Sequence, residues 1–139
     1  MRTRLLILSA AFVALAAGSA HAGSPFGFFP TCGSGKNSQC AFQFVTGNNN
    51  VARIDQASSK RKSFQLGLNL QKGNSNRSYI GQSGGNQVAV TAQDGNNNAS
   101  YTYQEGTNQL SVTVQSGNGH WAGVSSYGTN AVTGVYQTN

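Results

Sequence analysis

Few side chains in this 139-residue sequence could carry acid–base or nucleophilic chemistry. The carboxylates are Asp55, Asp94 and Glu105, and His120 is the only histidine after residue 22. Asp94 and Glu105 could serve as a glycosidase pair only if a cleft fixed the distance between their carboxyl groups, and a short repeat structure has no cleft of its own. No acid or nucleophile accompanies His120. We therefore predict that the protein is not an enzyme and has no cofactor or metal.

Two cysteines, Cys32 and Cys40, lie close together in the sequence. In an exported chain they could form a disulfide that closes the Gly- and Ser-containing loop between them. Redox or metal chemistry is the alternative, but no further Cys or His pair lies nearby to complete a metal site. The sequence leaves open whether Cys32 and Cys40 are bridged.

Amide side chains are abundant and regularly spaced. The chain has fifteen Asn and twelve Gln, whereas charged residues make up 9% of it, against roughly 25% in an ordinary globular domain. Glutamines recur every eleven residues, with Ser126 in one place of the series. Identical amides that stack can hydrogen-bond from layer to layer, which removes the cost of burying them. The predicted assembly ladder comprises Gln71, Gln82, Gln93, Gln104, Gln115, Gln137, Asn76 and Asn98.

The elements that position these amides are one turn and one strand per eleven-residue unit. A glycine follows each glutamine position by two residues, and Gly and Asn adopt positive φ at low cost. The residues after each turn, such as 88–91 and 110–114, alternate and are rich in β-branched types, which is typical of strands. The predicted turn glycines are Gly73, Gly84, Gly95, Gly106, Gly117 and Gly128.

A second period of 22 residues contains two of these units. Tyr79 recurs as Tyr101, and Val90 recurs as Val112. The sequence therefore predicts an all-β, amyloid-like β-solenoid with two short strands per 22-residue layer and about nine strands in all. About four extra residues after Gln56 shift the register of the early units.

Side chains alternate between the two faces of a strand, so each strand has an inner and an outer set. The regular positions of the repeat are small or amide-bearing and could pack two sheets closely, so we place them inside. Around Tyr101, which would then point outward, the inner set is Asn98, Ser100, Thr102 and Gln104.

Three regions can be distinguished along the chain. Residues 1–22 have a basic start, an apolar run and a small-residue cleavage signal, which predicts a secretory signal peptide. Residues 23–38 lack the repeat and are predicted to be a flexible N-terminal segment. Residues 39–139 form the predicted solenoid. The protein is therefore expected outside the cell.

The unit from Gln93 through Gly95, Asn98 and Ser100 to Gln104 resembles the curlin repeat of curli subunits. This resemblance implies a curlin-repeat β-solenoid, secretion through the outer-membrane channel and chaperones of the curli system, and polymerisation with itself and other curlin subunits into extracellular fibres. It implies a role in the biofilm matrix and in surface adhesion. The family has a major fibre subunit and a minor, more basic nucleator, and both roles stay open.

Some positions depart from the repeat. Gln87 and Gln109 replace the motif's Asn, His120 and Ala131 occupy the Asn position of the last units, and Ser126 replaces a Gln. We expect these departures to weaken the amide ladder toward the C-terminus.

The basic cluster Lys60, Arg61 and Lys62 lies at an irregular turn. It could bind acidic polysaccharide, or it could be a solvated loop that discourages edge pairing. No specific nucleic-acid partner is predicted.

The alternative to a polymer is a soluble secreted β-solenoid that binds carbohydrate or another surface ligand. Thr91, Thr102 and Thr113 would form a threonine column suited to ice binding only if they faced outward. The alternation of faces instead predicts that they point inward.

Overall fold

The computed structural model describes residues 38–58 and 63–139. Several predictions lie outside these residues. They concern the signal peptide at 1–22, the N-terminal segment up to residue 37, Cys32, and the basic cluster Lys60, Arg61 and Lys62.

The described chain is built from seven parallel strands, with no helix among its residues. The strands are rich in β-branched, aromatic and amide residues, and positive-φ residues lie at the turns between β1 and β2 and between the successive strands from β3 onward. The strands are β1 (Ser38–Thr46), β2 (Val51–Ala57), β3 (Phe64–Lys72), β4 (Arg77–Asn96), β5 (Ala99–Asn118), β6 (Trp121–Thr129) and β7 (Val132–Thr138).

Two of the strands contribute to both sides of the molecule. β4 and β5 each run for 20 residues, and each turns at a positive-φ Gly and Asn, Gly84 and Asn86 in β4 and Gly106 and Asn108 in β5. Side one therefore contains β1, β3, residues 87–96, residues 109–118 and β7. Side two contains β2, residues 77–85, residues 99–107 and β6. These nine segments confirm the predicted solenoid with two strands per layer.

The register between layers is 22 residues from β3 onward, as in the pairing of Gln71 with Gln93. Between the first two layers the offset is larger, because Ser38 pairs with Phe64 and Val51 pairs with Arg77. The additional residues lie between β2 and β3, where the sequence predicted a register shift. Parallel pairing of identical units thus holds each residue against its counterpart in the next layer.

The interior between the two sides is largely polar. Asn98, Ser100, Thr102 and Gln104 are 6% exposed or less, whereas Tyr101 points to solvent, which confirms the predicted inner face. Among the described residues twenty polar side chains are buried, whereas the buried apolar residues are Cys40, Ile80, Ala89, Ala122 and Val124. Such a core is stable only if most of its polar atoms find hydrogen-bond partners.

The three threonines do not form a single column. Thr91 pairs with Thr113 on side one, while Thr102 lies on side two between Ile80 and Val124. The eleven-residue spacing places successive units on opposite sides, which is why Thr102 is separated from the other two. All three are at most 1% exposed, so none is available to an external ligand such as ice.

The outer faces of the two sides differ in chemistry. Side one carries aliphatic residues such as Leu68, Val90 and Val112, which stack in register. Side two carries aromatic residues, and the rings of Tyr79 and Tyr101 stack with their centroids 5.1 Å apart. Because these rings face one another along the stack, they present their edges to solvent.

Candidate assembly site: amide ladders and the ends of the stack

The first amide ladder runs through the interior of side one. Gln71 Nε2 donates to Gln93 Oε1 at 2.8 Å, Gln93 to Gln115 at 2.7 Å, and Gln115 to Gln137 at 2.9 Å. Each Nε2 also donates across the core to a carbonyl oxygen at the start of a side-two strand, namely those of Val51, Arg77, Ala99 and Trp121. Both hydrogens of each buried amide are thereby used within the stack, and the ladder ends at Gln137.

The second ladder occupies the equivalent place on side two. Gln56 Nε2 donates to Gln82 Oε1 at 2.8 Å, and Gln82 donates to Gln104 at 3.0 Å. The next residue in the column is Ser126, whose side chain is too short to continue the row. Among the described residues Gln104 Nε2 and Ser126 Oγ consequently have no hydrogen-bond partner. The ladder therefore weakens at Ser126.

A third ladder was not predicted. In this ladder Gln39 Nε2 donates to Gln65 Oε1 at 2.9 Å, Gln65 to Gln87 at 3.1 Å, and Gln87 to Gln109 at 3.1 Å. The expectation that Gln87 and Gln109 weaken the amide ladder was wrong, because each has a glutamine partner in the adjoining layers. The 22-residue spacing of Gln65, Gln87 and Gln109 was the available signal.

Asparagines form a shorter row at the start of the side-two strands. The Oδ1 atoms of Asn50, Asn76 and Asn98 accept the backbone N–H of the residue in the next layer, at 2.9, 3.0 and 3.0 Å. Their Nδ2 groups donate to the carbonyl oxygens of turn glycines at 2.7 to 2.9 Å. The row ends where Asn98 Oδ1 accepts the backbone N–H of His120. Asn76 and Asn98 each bond to a neighbouring strand and to a turn, and they thereby connect the two.

The turn glycines satisfy two constraints at once. All six predicted positions have φ between +95 and +134°, a region that disfavours residues with a Cβ. A Cβ added to Gly95 would fall on the carbonyl oxygen of Gly117 in the next layer, whereas one added to Gly128 would meet nothing within 4 Å. The close stacking of the turns, and not only their φ, therefore requires glycine at Gly73, Gly84, Gly95 and Gly106.

The C-terminal end of the stack presents an unpaired sheet edge. Within the described chain β6 and β7 each pair with β5 alone. Val132 and Tyr136 are 77% and 73% exposed. Gln137 accepts from Gln115 and donates one hydrogen to Trp121 O at 3.1 Å, and its second Nε2 hydrogen has no acceptor among the described residues. Backbone and side-chain groups at this end thus match those used inside the stack.

The N-terminal end differs at its ladder positions. Val45 lies beneath Gln71 in the first ladder, so Gln71 Oε1 has no partner among the described residues. Gln56 begins the second ladder, and its Oε1 is likewise without a partner in the described chain. One ladder thus starts with an apolar residue and the other with an unused acceptor.

Charged groups of the described part of the chain lie mostly on the outer surface, where they form two ion pairs. Arg53 contacts Asp55 at 2.8 Å and its guanidinium lies 5.7 Å from the Tyr79 ring centroid. The hydrogen bond and charge of Asp55 raise the pKa of Arg53. Burial, aided by the charge of Asp55, raises the pKa of Tyr79, and the charge of Glu105 raises the pKa of Tyr103.

Other candidate residues lie apart from one another. Asp94 pairs with Lys72 at 3.7 Å, and His120 Nε2 lies 3.1 Å from Ser116 O. No group of three potential metal ligands occurs in residues 38–58 and 63–139. Cys40 is disulfide-bonded and 3% exposed. Because Cys32 lies outside the described residues, the Cys32–Cys40 pairing stays a prediction.

Comparison with known proteins identifies no relative of this chain. No family model, curated protein or solved structure matches the chain. Within the described residues, no helix has the length and apolar character needed to cross a membrane. Functional inference therefore depends on the ladders, the turns and the ends of the stack.

Proposed function

We propose that this protein is a secreted structural subunit that polymerises end to end into curli-type amyloid fibres. The observation that carries the proposal is the C-terminal end, where β7 offers an exposed backbone edge and Gln137 offers an amide hydrogen without an acceptor in the described chain. An exposed edge strand is a template for pairing with another chain. The incoming subunit would repeat the pairing that already exists between β5 and β7.

The backbone of β7 divides its hydrogen-bonding groups between β5 and the open edge. Leu110 N–H donates to Ala131 O at 2.9 Å, and Leu110 is paired with Val132. In a parallel ladder this geometry directs the groups of Thr133 back to β5 and those of Val132 outward. By alternation Gly134, Tyr136 and Thr138 also point outward, so four residues present both N–H and C=O to an incoming strand.

The favourable free energy of such a junction comes from backbone groups of β7 that β5 already holds in position. Each new backbone hydrogen bond contributes about 1 kcal/mol net. Because β7 is fixed by β5, little backbone entropy remains to be lost on the side of the growing end. Several weak bonds formed together on a rigid edge account for stable growth without any apolar core at the junction.

The cellular role is part of the same proposal. The predicted signal peptide supports export, and the curlin-like spacing supports use of a dedicated secretion channel, chaperones and other curlin subunits. Extracellular fibres would contribute to the biofilm matrix and to surface adhesion, with acidic polysaccharide as a proposed ligand of the basic cluster at residues 60–62. This assignment makes an enzymatic role unnecessary.

Polymerisation is tested directly by growing fibres from residues 23–139. The chain is diluted from denaturant, growth is followed by thioflavin T fluorescence, and the product is examined by X-ray diffraction. Growth after a lag, with reflections near about 4.7 and 10 Å, supports the proposal. A monomer that keeps a β-type circular dichroism spectrum at high concentration would overturn it and would favour a soluble, ligand-binding solenoid.

A further inference from the structure

We propose that successive subunits stack with a half-turn about the fibre axis, so that β1 of one copy pairs with β6 of the next and β2 pairs with β7. The partner is a second copy of this chain. This inference rests on the proposed end-to-end polymerisation, and it specifies which strands and side chains meet at the junction.

The number of strand segments is the first observation. In the described chain five segments lie on side one and four on side two, and both β1 and β7 belong to side one. A copy added without rotation would place β1 over β7 and leave one strand position empty above β6. A copy rotated by half a turn places β1 over β6 and β2 over β7, and both sheets continue without a gap.

The ends of the ladders provide the second observation. Gln137 ends the first ladder with an unused Nε2 hydrogen, and Gln56 begins the second ladder with an unpartnered Oε1 within the described chain. The two residues occupy equivalent places on opposite sides of the solenoid. Only the half-turn brings Gln137 of one copy against Gln56 of the next, which supplies a donor to an acceptor.

The two non-amide ladder positions also coincide under the half-turn. Ser126 interrupts the second ladder at the C-terminal end, and Val45 interrupts the first ladder at the N-terminal end. Rotation places Val45 over Ser126, where neither requires an amide partner from the other. Without rotation Val45 would cover the donor of Gln137, and Ser126 would lie too far from Gln56 to supply its oxygen with a hydrogen.

The two ends are not equally accessible in the single chain. Gln56 is only 7% exposed, whereas Val132 and Tyr136 on β7 are among the most exposed residues of the described chain. The Gln56 oxygen must therefore be uncovered before it can accept from Gln137.

Mixed-label fibres test the arrangement on the unaltered chain. Layer-to-layer contacts within one copy are intramolecular, so in fibres grown from equal amounts of 15N-labelled and 13C-labelled protein, nitrogen–carbon transfer in solid-state NMR reports only contacts between copies. The half-turn predicts cross-peaks of β1 with β6 and of β2 with β7, including Gln137 Nε2 with Gln56 Cδ. Cross-peaks of β1 with β7, without cross-peaks of β2 with β7, would overturn it while leaving polymerisation intact. Absence of fibres would instead overturn the proposed function, and this inference with it.

A pair of substitutions gives an independent readout. In the half-turn arrangement Ser126→Gln places a new amide against Val45, so its outward hydrogen is buried without a partner and seeded elongation slows about tenfold. Adding Val45→Gln supplies the partner and restores elongation. Without rotation the strand position above β6 stays empty, so the outward hydrogen of Ser126→Gln would face solvent, and elongation of the single variant at the unaltered rate would contradict the half-turn.

Discussion

Gln93 and Gln115 are 22 residues apart in the chain, yet the side-chain amide of Gln93 donates to the carbonyl oxygen of Gln115 at 2.7 Å. The same amide donates to Arg77 O at 3.0 Å and accepts from Gln71 at 2.8 Å. One side chain thus connects three layers on side one and one strand on side two. Hydrogen bonds between amides hold this core together, as apolar packing does in an ordinary protein core.

Replacing Gln93 by Leu should therefore destabilise the chain and abolish or strongly slow fibre growth. The substitution leaves the Gln71 donor, the Gln115 oxygen and the Arg77 carbonyl without their present partners. At about 1–3 kcal/mol for each of the three buried unsatisfied groups, the loss is on the order of 3–9 kcal/mol. Urea unfolding and thioflavin T kinetics measure the two effects.

The matched control is Ser116→Leu, which places a leucine on the solvent-exposed position next to Gln115, in the layer adjoining Gln93. Its unfolding free energy should change by less than about 0.5 kcal/mol. Unaltered stability and growth of Gln93→Leu would mean that the ladder does not hold the core together.

Substitutions at two turn glycines should distinguish effects on folding from effects on polymerisation. Gly95→Ala combines a strained φ of +123° with overlap on the Gly117 carbonyl, so it should prevent folding or destabilise the chain by several kcal/mol. Gly128→Ala has φ +95° and open space, so it should cost only about 1–2 kcal/mol of backbone strain. An incoming copy would close that space, and Gly128→Ala should slow elongation far more than its stability loss explains.

Measuring both variants by chemical unfolding and by seeded growth distinguishes these effects. If Gly128→Ala elongates at the rate of the unaltered chain, no strand stacks on that turn in the fibre, which would contradict the half-turn arrangement.

The sequence was sufficient to predict the architecture because the same residue types recur at fixed spacings. Tyr79 and Tyr101 revealed the 22-residue layer, and the alternation around Tyr101 placed Thr102 and Gln104 inside. Positive φ at residues such as Gly95 follows from the absence of a Cβ, so the turns could also be located from sequence alone.

Other features depend on three-dimensional register and were missed. The inserted residues before β3 separate Gln39 from Gln65 by more than one repeat length, which hid the place of Gln39 in the third ladder. Thr102 was grouped with Thr91 because an eleven-residue period does not distinguish the two sides. The amide of Gln104 lacks a partner because the Ser126 side chain is too short to reach it. The spacing of residues in the sequence does not show this.

Alkaline pH should destabilise the outer face of side two. Burial raises the pKa of Tyr79, and the Glu105 charge raises the pKa of Tyr103, above the ordinary value of 10.0. A phenol whose pKa is higher in the folded state than in the unfolded state contributes stability that is complete below about pH 10 and is lost as the pH rises through the folded-state value. Tyrosinate absorbance during a pH titration follows the ionisation, and circular dichroism follows the loss of structure.

Two variants assign the titrating groups. Tyr79→Phe should remove one high-pH component, and Glu105→Gln should move the Tyr103 component toward the ordinary value without affecting that of Tyr79. Identical titration curves for the unaltered chain and both variants would contradict the assignment.

A proline at Tyr136 should block growth while preserving the fold. The backbone N–H of Tyr136 points to the open edge of β7, so its loss removes no bond between β7 and β5, and proline is tolerated on edge strands in this orientation. An incoming strand would meet a missing donor and the bulk of the pyrrolidine ring. Seeded elongation of Tyr136→Pro should fall at least about tenfold, the effect of losing roughly 1.4 kcal/mol at the junction.

Tyr136→Ala is the control, because it removes the same side chain and keeps the N–H. If backbone pairing at β7 drives growth, Tyr136→Ala should elongate within about threefold of the unaltered chain, and both variants should have similar midpoints of urea unfolding as monomers. Equal slowing of the two variants would show that the Tyr136 ring, not the strand edge, makes the junction. Unchanged growth of Tyr136→Pro would show that new subunits do not add at β7, because no parallel strand can pair normally with a proline at that position.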